Sequence, residues 1–233
     1  MATQKQSDPK ARIMDAAEDV FAEFGFAGAS LRRIVLEAKV NLATVYYYFQ
    51  SKSGLMEAVL KRRLGPLRTE HLELLRQFEH EASGRPLPVE KILQAMLLPP
   101  LRLAVAAPAK RHAVTRLIGR IVTEPDPQTQ EILRSQRAEV REAFLRALRA
   151  SLPHVSKVDL QWRLEFVWAA LAFILCNPRK LELETGGACN PADTGKVLAE
   201  MMNFFSPGFR APSQSRSEIR RAKPESTRRQ DRE

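Results

Sequence analysis

The sequence predicts an all-α protein of about nine helices, on three observations. Apolar residues recur at helical spacing from the beginning of the chain to about position 205, and no segment alternates with period two. Capping residues followed by proline, at Asp8-Pro9, Asp126-Pro127 and Asn190-Pro191, mark helix starts, because the side chain satisfies orphan amides and proline presets the helical φ. Changes in pattern divide the chain into a compact group of short helices over 8–60, a larger helical region over 61–205 and a polar tail over 206–233.

The first helix begins at Pro9 and carries Ile13, Ala16, Ala17, Val20, Phe21 and Phe24 on one continuous face, and Gly25 stops it. Ser30 caps a two-turn helix with Leu31, Ile34, Val35 and Ala38 turned inward. Asn41 caps a third, Leu42 to Phe49, in which Val45 and Phe49 share a face. Ser51 starts a fourth through Leu55, Met56, Val59 and Leu60. Farther on, a segment from Val89 to Val105 contains Pro99-Pro100, which must kink or break it for want of backbone donors. Ala109 to Val122 is another helical segment. Asp126-Pro127 leads into Ile132, Leu133, Val140, Phe144, Leu145 and Leu148 until Pro153. Lys157 to Cys176 is the most apolar helix and ends at Asn177-Pro178. After a loop through Gly186-Gly187, Asn190-Pro191 starts a last helix that runs to about Phe205. Pro, Ser, Arg and Glu dominate 206–233, which holds too little apolar area to offset its ordering entropy and is expected to be disordered.

Composition narrows the function classes. A hydrophobic fraction of 44% over 233 residues is enough for one sizeable core or two modest ones. Cys176 and Cys189 form no disulfide framework or zinc spacing, which points to a reducing compartment. The longest apolar run, Phe166 to Cys176, is too short to span a bilayer, and the polar N-terminus has no secretory core, so a cytoplasmic protein without a membrane partner is expected. The formal charge of +10 suggests an anionic partner, yet only +3 of it falls in residues 1–65, with +3 in 66–205 and +4 in the tail. No cofactor is expected. His71, His80, His112 and His154 are far apart, Cys189 has no paired base nearby in sequence, and there is no phosphate-cradling glycine loop, so an enzyme is disfavoured.

The second and third helices, joined by a short turn and preceded by a bracing helix, fit a helix-turn-helix, whose later helix lies in the major groove of double-stranded DNA. The outward set on that helix is Leu42, Ala43, Thr44, Tyr46, Tyr47 and Tyr48, and it contains all three tyrosines of the chain. Hydroxyls can bond phosphate oxygens, and the apolar groups can pack on thymine methyls. Core packing is the ordinary fate of aromatics on a short helix. Val45 and Phe49 already occupy the inward positions, however, and three consecutive tyrosines diverge by about 100° each.

The ordered marks Ala16-Ala17, Phe21, Gly25-Phe26, Ser30 to Ile34, Ala38-x-Val40, Tyr46-x-Tyr48-Phe49 and Ser51-Lys52 make residues 11–60 resemble the DNA-binding domain of TetR-type transcriptional regulators. The resemblance implies that Arg32 reaches a base edge, that Leu42, Ala43 and Tyr46 face bases, and that Thr44, Tyr47, Tyr48 and Lys52 lie by phosphates. With the capping residues Ser30 and Asn41, these make up the expected DNA-binding set. Two positions depart from the family pattern: Lys39 stands where glycine is usual, at a site that commonly takes a left-handed backbone, and Tyr48 stands where histidine is common.

For the remainder, the resemblance implies a ligand-binding and dimerisation domain. The stretches RRLGPL, RLIGRI, EPDPQ and LPHVSKVDLQWRLEFVWAAL are similar to the PsrA-like branch of these regulators, which responds to long-chain fatty acids or acyl thioesters. Met96, Leu97, Leu101, Leu117, Ile121, Phe144, Leu148, Trp168 and Ala172 are then the candidate lining of an apolar pocket, against the simpler reading of a filled core. Pro99-Pro100 can help open such a pocket. Arg102, Arg116 and Arg120 are candidates for its mouth, against the simpler reading of a solvated face. The helix from Lys157 is apolar all round and the last helix has an apolar stripe. Phe166, Phe173, Ile174, Val197, Met201 and Phe204 are accordingly expected at a two-fold homodimer interface. The expected function is a repressor, a dimer on a palindromic operator that a small hydrophobic effector releases. The alternative is a basic architectural protein that binds nucleic acid nonspecifically and takes no effector.

Overall fold

The computed structural model describes residues 8–106, 117, 119 and 126–213. Nine helices are delimited among them: α1 Pro9–Gly28, α2 Leu31–Ala38, α3 Leu42–Phe49, α4 Lys52–Glu81, α5 Val89–Ala106, α6 Pro127–Ser151, α7 Lys157–Cys176, α8 Pro178–Glu184 and α9 Thr194–Arg210. There is no strand among the described residues.

The expected caps form. Asp8 accepts from the Lys10 amide at 3.0 Å, Ser30 from Arg33 at 3.2 Å, Asn41 from Thr44 at 2.8 Å, Ser51 from Gly54 at 3.0 Å and Asp126 from Thr129 at 2.8 Å. Each satisfies an amide that the helix leaves orphaned, an effect of about 1 kcal/mol per cap. Gly25 takes φ 70° and ψ 178°, so α1 bends there and adds one further turn to Gly28 instead of stopping. Ile13, Ala17, Phe21, Ile34, Val45, Phe49, Leu55, Met56 and Leu60 are buried in one apolar cluster, to which Leu117 and Leu133 also belong.

Helix α4 leaves this cluster without interruption. It extends to Glu81 and passes Pro66, and its later residues Leu72, Leu75 and Phe78 join a second apolar cluster built from α5, α6, α7 and α9. The division expected at residues 60 and 61 therefore falls inside one long helix. Pro99 and Pro100 do not end α5, which continues to Ala106. Both prolines are buried, so packing along the helix offsets the missing backbone bonds. The segment expected from Ala109 to Val122 lies outside the described residues apart from Leu117 and Gly119.

Two further details differ from the sequence expectation. Pro178 starts the short helix α8 where a loop was expected. The last helix starts at Thr194, capped by Asp193 through the Lys196 amide at 2.9 Å, and runs to Arg210 instead of ending near Phe205. Asn190 receives the Ala192 amide at 2.9 Å and so makes a turn before the helix. Residues 206–213 are held in place: Ser206 and Phe209 are buried, Arg163 Nη1 donates to the Phe209 carbonyl at 2.8 Å, and the Ser156 amide donates to Ser213 Oγ at 2.8 Å. Phe209 alone adds roughly 1.5–3 kcal/mol of apolar burial, which explains why the helix passes Pro207. The rest of the expected tail, 214–233, lies outside the described residues.

Candidate nucleic-acid interface and ligand cavity

Helices α2 and α3 meet at a turn whose geometry fixes the exposed face of α3. The Lys39 amide bonds the Leu36 carbonyl at 3.3 Å and the Val40 amide bonds the Val35 carbonyl at 3.1 Å, the paired bonds of a Schellman ending. Lys39 sits at φ 51° and ψ 51°, the left-handed conformation that glycine adopts without cost. The turn thus keeps its shape with lysine, at a strain of about 1 kcal/mol.

Val45 and Phe49 anchor α3 in the core, and the opposite face is open. Tyr47 is 81% exposed, Tyr46 half-exposed, and Leu42 and Tyr48 less so. Ala43 and Arg32 are exposed as well. The Tyr47 and Tyr48 rings meet edge to face with centroids 5.0 Å apart, a contact that restrains both side chains. Not every expected contact residue is free. Thr44 Oγ1 donates to Asn41 Oδ1 at 2.7 Å, and the same oxygen accepts from the Thr44 amide, so Asn41 Oδ1 and the Thr44 hydroxyl proton serve the cap. Ser30 does likewise. Lys52, expected beside a phosphate, instead donates to the Phe26 carbonyl at 2.7 Å and the Ala29 carbonyl at 3.0 Å, with its ammonium 4.4 Å from the Phe26 ring centre. Lys52 thereby ties the end of α1 to the start of α4, and two of its three N–H groups are engaged in doing so.

Sequence reasoning missed two groups in this region. Gly54 packs so closely on the Phe49 carbonyl oxygen that a Cβ would collide with it, and the close approach sets the angle between α3 and α4. Glu18, 3% exposed, accepts from Arg62 Nη2 at 2.8 Å and Arg63 Nε at 2.6 Å, and Arg62 Nη1 also reaches Asp15 at 2.8 Å. This ionic clamp ties α1 to α4. The signal for it in sequence was a lone acid among the inward positions of α1.

A cavity of about 290 Å³ lies between α4, α6 and α7, with Pro100 of α5 at its edge. Of the expected pocket residues, Trp168 and Ala172 line it. Met96, Leu97, Leu101, Phe144 and Leu148 do not: they are buried in the second core cluster, because the most apolar faces of α5 and α6 close on each other. Leu117 is buried in the first cluster, and Ile121, Arg116 and Arg120 lie outside the described residues. Arg102 pairs with Glu70 at 3.2 Å, away from the lining. The void opens instead where apolar and polar side chains mix, among Leu64, Leu67, Arg68 and His71 of α4, Leu133, Arg137 and Arg141 of α6, and Glu165, Trp168 and Leu175 of α7. Mixed composition at helical spacing was the available clue, and a search for purely apolar faces passes over it.

His71 forms part of that wall. Its Nε2 lies 2.9 Å from the Met96 carbonyl, which can only accept, so Nε2 carries the proton. Its ring sits edge-on to Phe144 and Trp168 at 5.8 and 5.6 Å. Burial lowers its pKa to about 4, so the imidazole is neutral at pH 7. Arg137 lies 5.2 Å from the Trp168 ring centre, and desolvation lowers its pKa from the ordinary arginine value.

Comparison with known proteins decides the lineage of this two-part arrangement. The sequence profile described as bacterial regulatory proteins, tetR family, matches residues 13–59, and that of the tetracyclin repressor-like C-terminal domain matches residues 94–208. The chain belongs to the TetR family. Its first profile spans α1 to α4 up to the ionic clamp, and its second covers most of the helices beyond the cavity-facing part of α4. A HTH-type transcriptional repressor of Streptomyces coelicolor, SCO4008, is 39% identical over 64 residues, 28% of this chain and 33% of that one. The chain spans from about a quarter to two thirds of the length of the curated relatives it matches. Among solved structures, the fatty acid degradation regulator FadR from Bacillus halodurans superposes with a TM-score of 0.59 over 89% of this chain and 99% of that one, at 14% identity. The FadR of Bacillus subtilis, solved in complex with stearoyl-CoA, gives 0.52 over 85% and 98%, at 13% identity. Likenesses at this level establish a common fold.

Proposed function

We propose that this TetR-family chain is a transcriptional repressor that binds a palindromic operator as a homodimer and is released by a small apolar effector. The carrying observation is the open face of α3: two short capped helices are held by a Schellman turn with three adjacent tyrosines, Leu42 and Ala43 turned away from a core that Val45 and Phe49 already fill. Such a helix, presented by α1 and α2, has the dimensions and side chains of a major-groove reader. Arg32 and Tyr46 are assigned to bases, Tyr47 and Tyr48 to phosphates, and Asn41, Ser30 and Lys52 to holding the reader in shape.

Dimerisation is supported by aromatic side chains that the single chain leaves uncovered. Trp162, Phe166 and Phe173 run along α7, with Phe166 56% exposed, and Phe204 of α9 is 76% exposed. Val197 and Ile174 are partly buried beside them, whereas Met201, 4% exposed, points into its own core and leaves the interface set.

Helix α4 joins the two functions. Its Arg62 and Arg63 clamp α1, and its Leu64, Leu67, Arg68 and His71 border the cavity. Pro66 lies between the clamp and the cavity residues Leu67, Arg68 and His71, and it removes the backbone bond to the Arg62 carbonyl, which makes the helix easiest to bend there. An effector that favours one position of the lower half of α4 changes the spacing of the two readers in a dimer. The FadR likenesses favour an acyl effector.

Selection of bound fragments from bacterial DNA, followed by footprinting, tests the proposal. A short symmetric site is expected, with binding weakened about tenfold or more by Tyr46→Ala, since one good base contact contributes roughly 1–3 kcal/mol. Sequence-independent binding that disappears on deletion of 214–233 would establish the basic nonspecific binder in its place.

A further inference from the structure

The cavity contains an electrostatic imbalance that the chain does not resolve. Three guanidiniums, those of Arg68, Arg137 and Arg141, border it against one carboxylate, Glu165. Two of the three are occupied: Arg141 pairs with Glu165 at 3.2 Å and Arg68 with Glu139 at 3.5 Å. Among the described residues Arg137 has neither an ion pair nor a hydrogen bond, and its neighbour is the Trp168 face at 5.2 Å. Glu165 attracts the Arg137 charge only from beyond ion-pair distance and is itself paired with Arg141. The desolvated cation is thus incompletely compensated, and a cation–π contact of about 1–2 kcal/mol recovers only part of the cost of desolvation. Apart from Gln136 and His71, whose Nε2 already bonds the Met96 carbonyl, the remaining lining is mostly hydrocarbon, with Leu64, Leu67, Leu133, Ala172 and Leu175 carrying no charge to compete for an anion. The wall therefore suits a molecule with one acidic end and a hydrocarbon body, and at about 290 Å³ the volume lies at the lower edge of small-molecule sites.

We propose that Arg137 anchors the carboxylate of an apolar acid whose hydrocarbon body fills the cavity between α4, α6 and α7, so that the site selects free acids over their neutral esters. This rests on the effector reading above and refines it: a thioester or ester carbonyl is uncharged and forgoes the ion pair that Arg137 offers. Binding also places the ligand against Trp168 and against His71 of α4, so the acid end sits where the α4 position can respond.

The test uses the full chain in a Trp162→Phe background, which leaves Trp168 as the fluorophore, titrated with dodecanoate, methyl dodecanoate and dodecanol at pH 7. Dodecanoate is expected to change Trp168 emission and to bind at least about tenfold more tightly than the ester or the alcohol, the scale of one charge-assisted bond. Arg137→Gln should abolish that preference while leaving ester affinity unchanged, and Arg137→Lys should restore part of it. Thermal melts of each variant exclude loss of the fold as the cause. Equal affinity for acid and ester, or an acid preference that survives Arg137→Gln, overturns the anchor while leaving an apolar cavity ligand in place. No binding of any of the three overturns both the anchor and the use of this cavity as the effector site.

Discussion

The α3-bearing half and the cavity-bearing half of the molecule each draw a charge out of water, Glu18 fully and Arg137 in part, and they treat it in opposite ways. Glu18 in the first half receives two guanidiniums from α4 and is sealed from solvent. Arg137 in the second half has no carboxylate within ion-pair distance among the described residues and borders a void. A buried charge completed by its own chain holds helices at a fixed angle. One left incomplete beside a cavity is poised for a ligand, at a cost to the free protein. On the proposed function the same contrast extends to the surfaces: the first half would work from outside, on α3, and the second from within.

The largest effect should come from breaking the completed charge. Glu18→Gln is expected to destabilise the fold by about 3 kcal/mol in chemical denaturation, at the low end for a buried pair because both arginines keep some contact with solvent. Arg137→Met should instead leave stability unchanged or raise it, and a loss above roughly 1 kcal/mol would mean that the guanidinium is architectural after all.

Next in size is the acid side of the stability curve. The folded pKa of His71, about 4, lies below its ordinary value of 6.5, so the unfolded chain binds the proton first as pH falls. Stability from this group is full above pH 6.5 and is lost between 6.5 and 4, to a total of about 3 kcal/mol at most. The difference between the pH profiles of the wild type and His71→Gln isolates it, and parallel profiles would contradict a neutral, buried His71. Gly54→Ala should cost about 2 kcal/mol and weaken DNA binding as well, since relief of the collision with the Phe49 carbonyl shifts α3. Smallest is Lys39→Gly, expected to raise stability by about 1 kcal/mol through relief of the left-handed strain, visible as an increased Tm.

The two halves also differ in how far their sequences could be read. In the first, every helix starts at a side-chain cap, and two inward residues per short helix suffice to orient it, so Leu42, Tyr46 and Tyr47 could be placed outside from spacing alone. What escaped was non-local: the partners of Lys52 lie 23 and 26 residues away, and those of Glu18 at 44 and 45. In the second half, the limits of α7 were legible to the residue because Ser156 and Asn177-Pro178 bracket it. Its cavity was not, since Met96, Phe144 and Trp168 are equally apolar in sequence, and only the packing of α5 on α6 separates core from lining. The end of α9 was misplaced for a similar reason: Phe209 finds its burial, and Arg163 its carbonyl partner, across a tertiary contact.

The most direct test of the link between the halves is the affinity for the selected operator, measured with and without saturating dodecanoate in the wild type and in Ala172→Phe, which fills the cavity. Dodecanoate should weaken operator binding at least about tenfold in the wild type, the scale of a 1–3 kcal/mol coupling, and should have no effect on Ala172→Phe. Equal operator affinity with and without the acid, or an undiminished response in the filled-cavity variant, would contradict the coupling through α4.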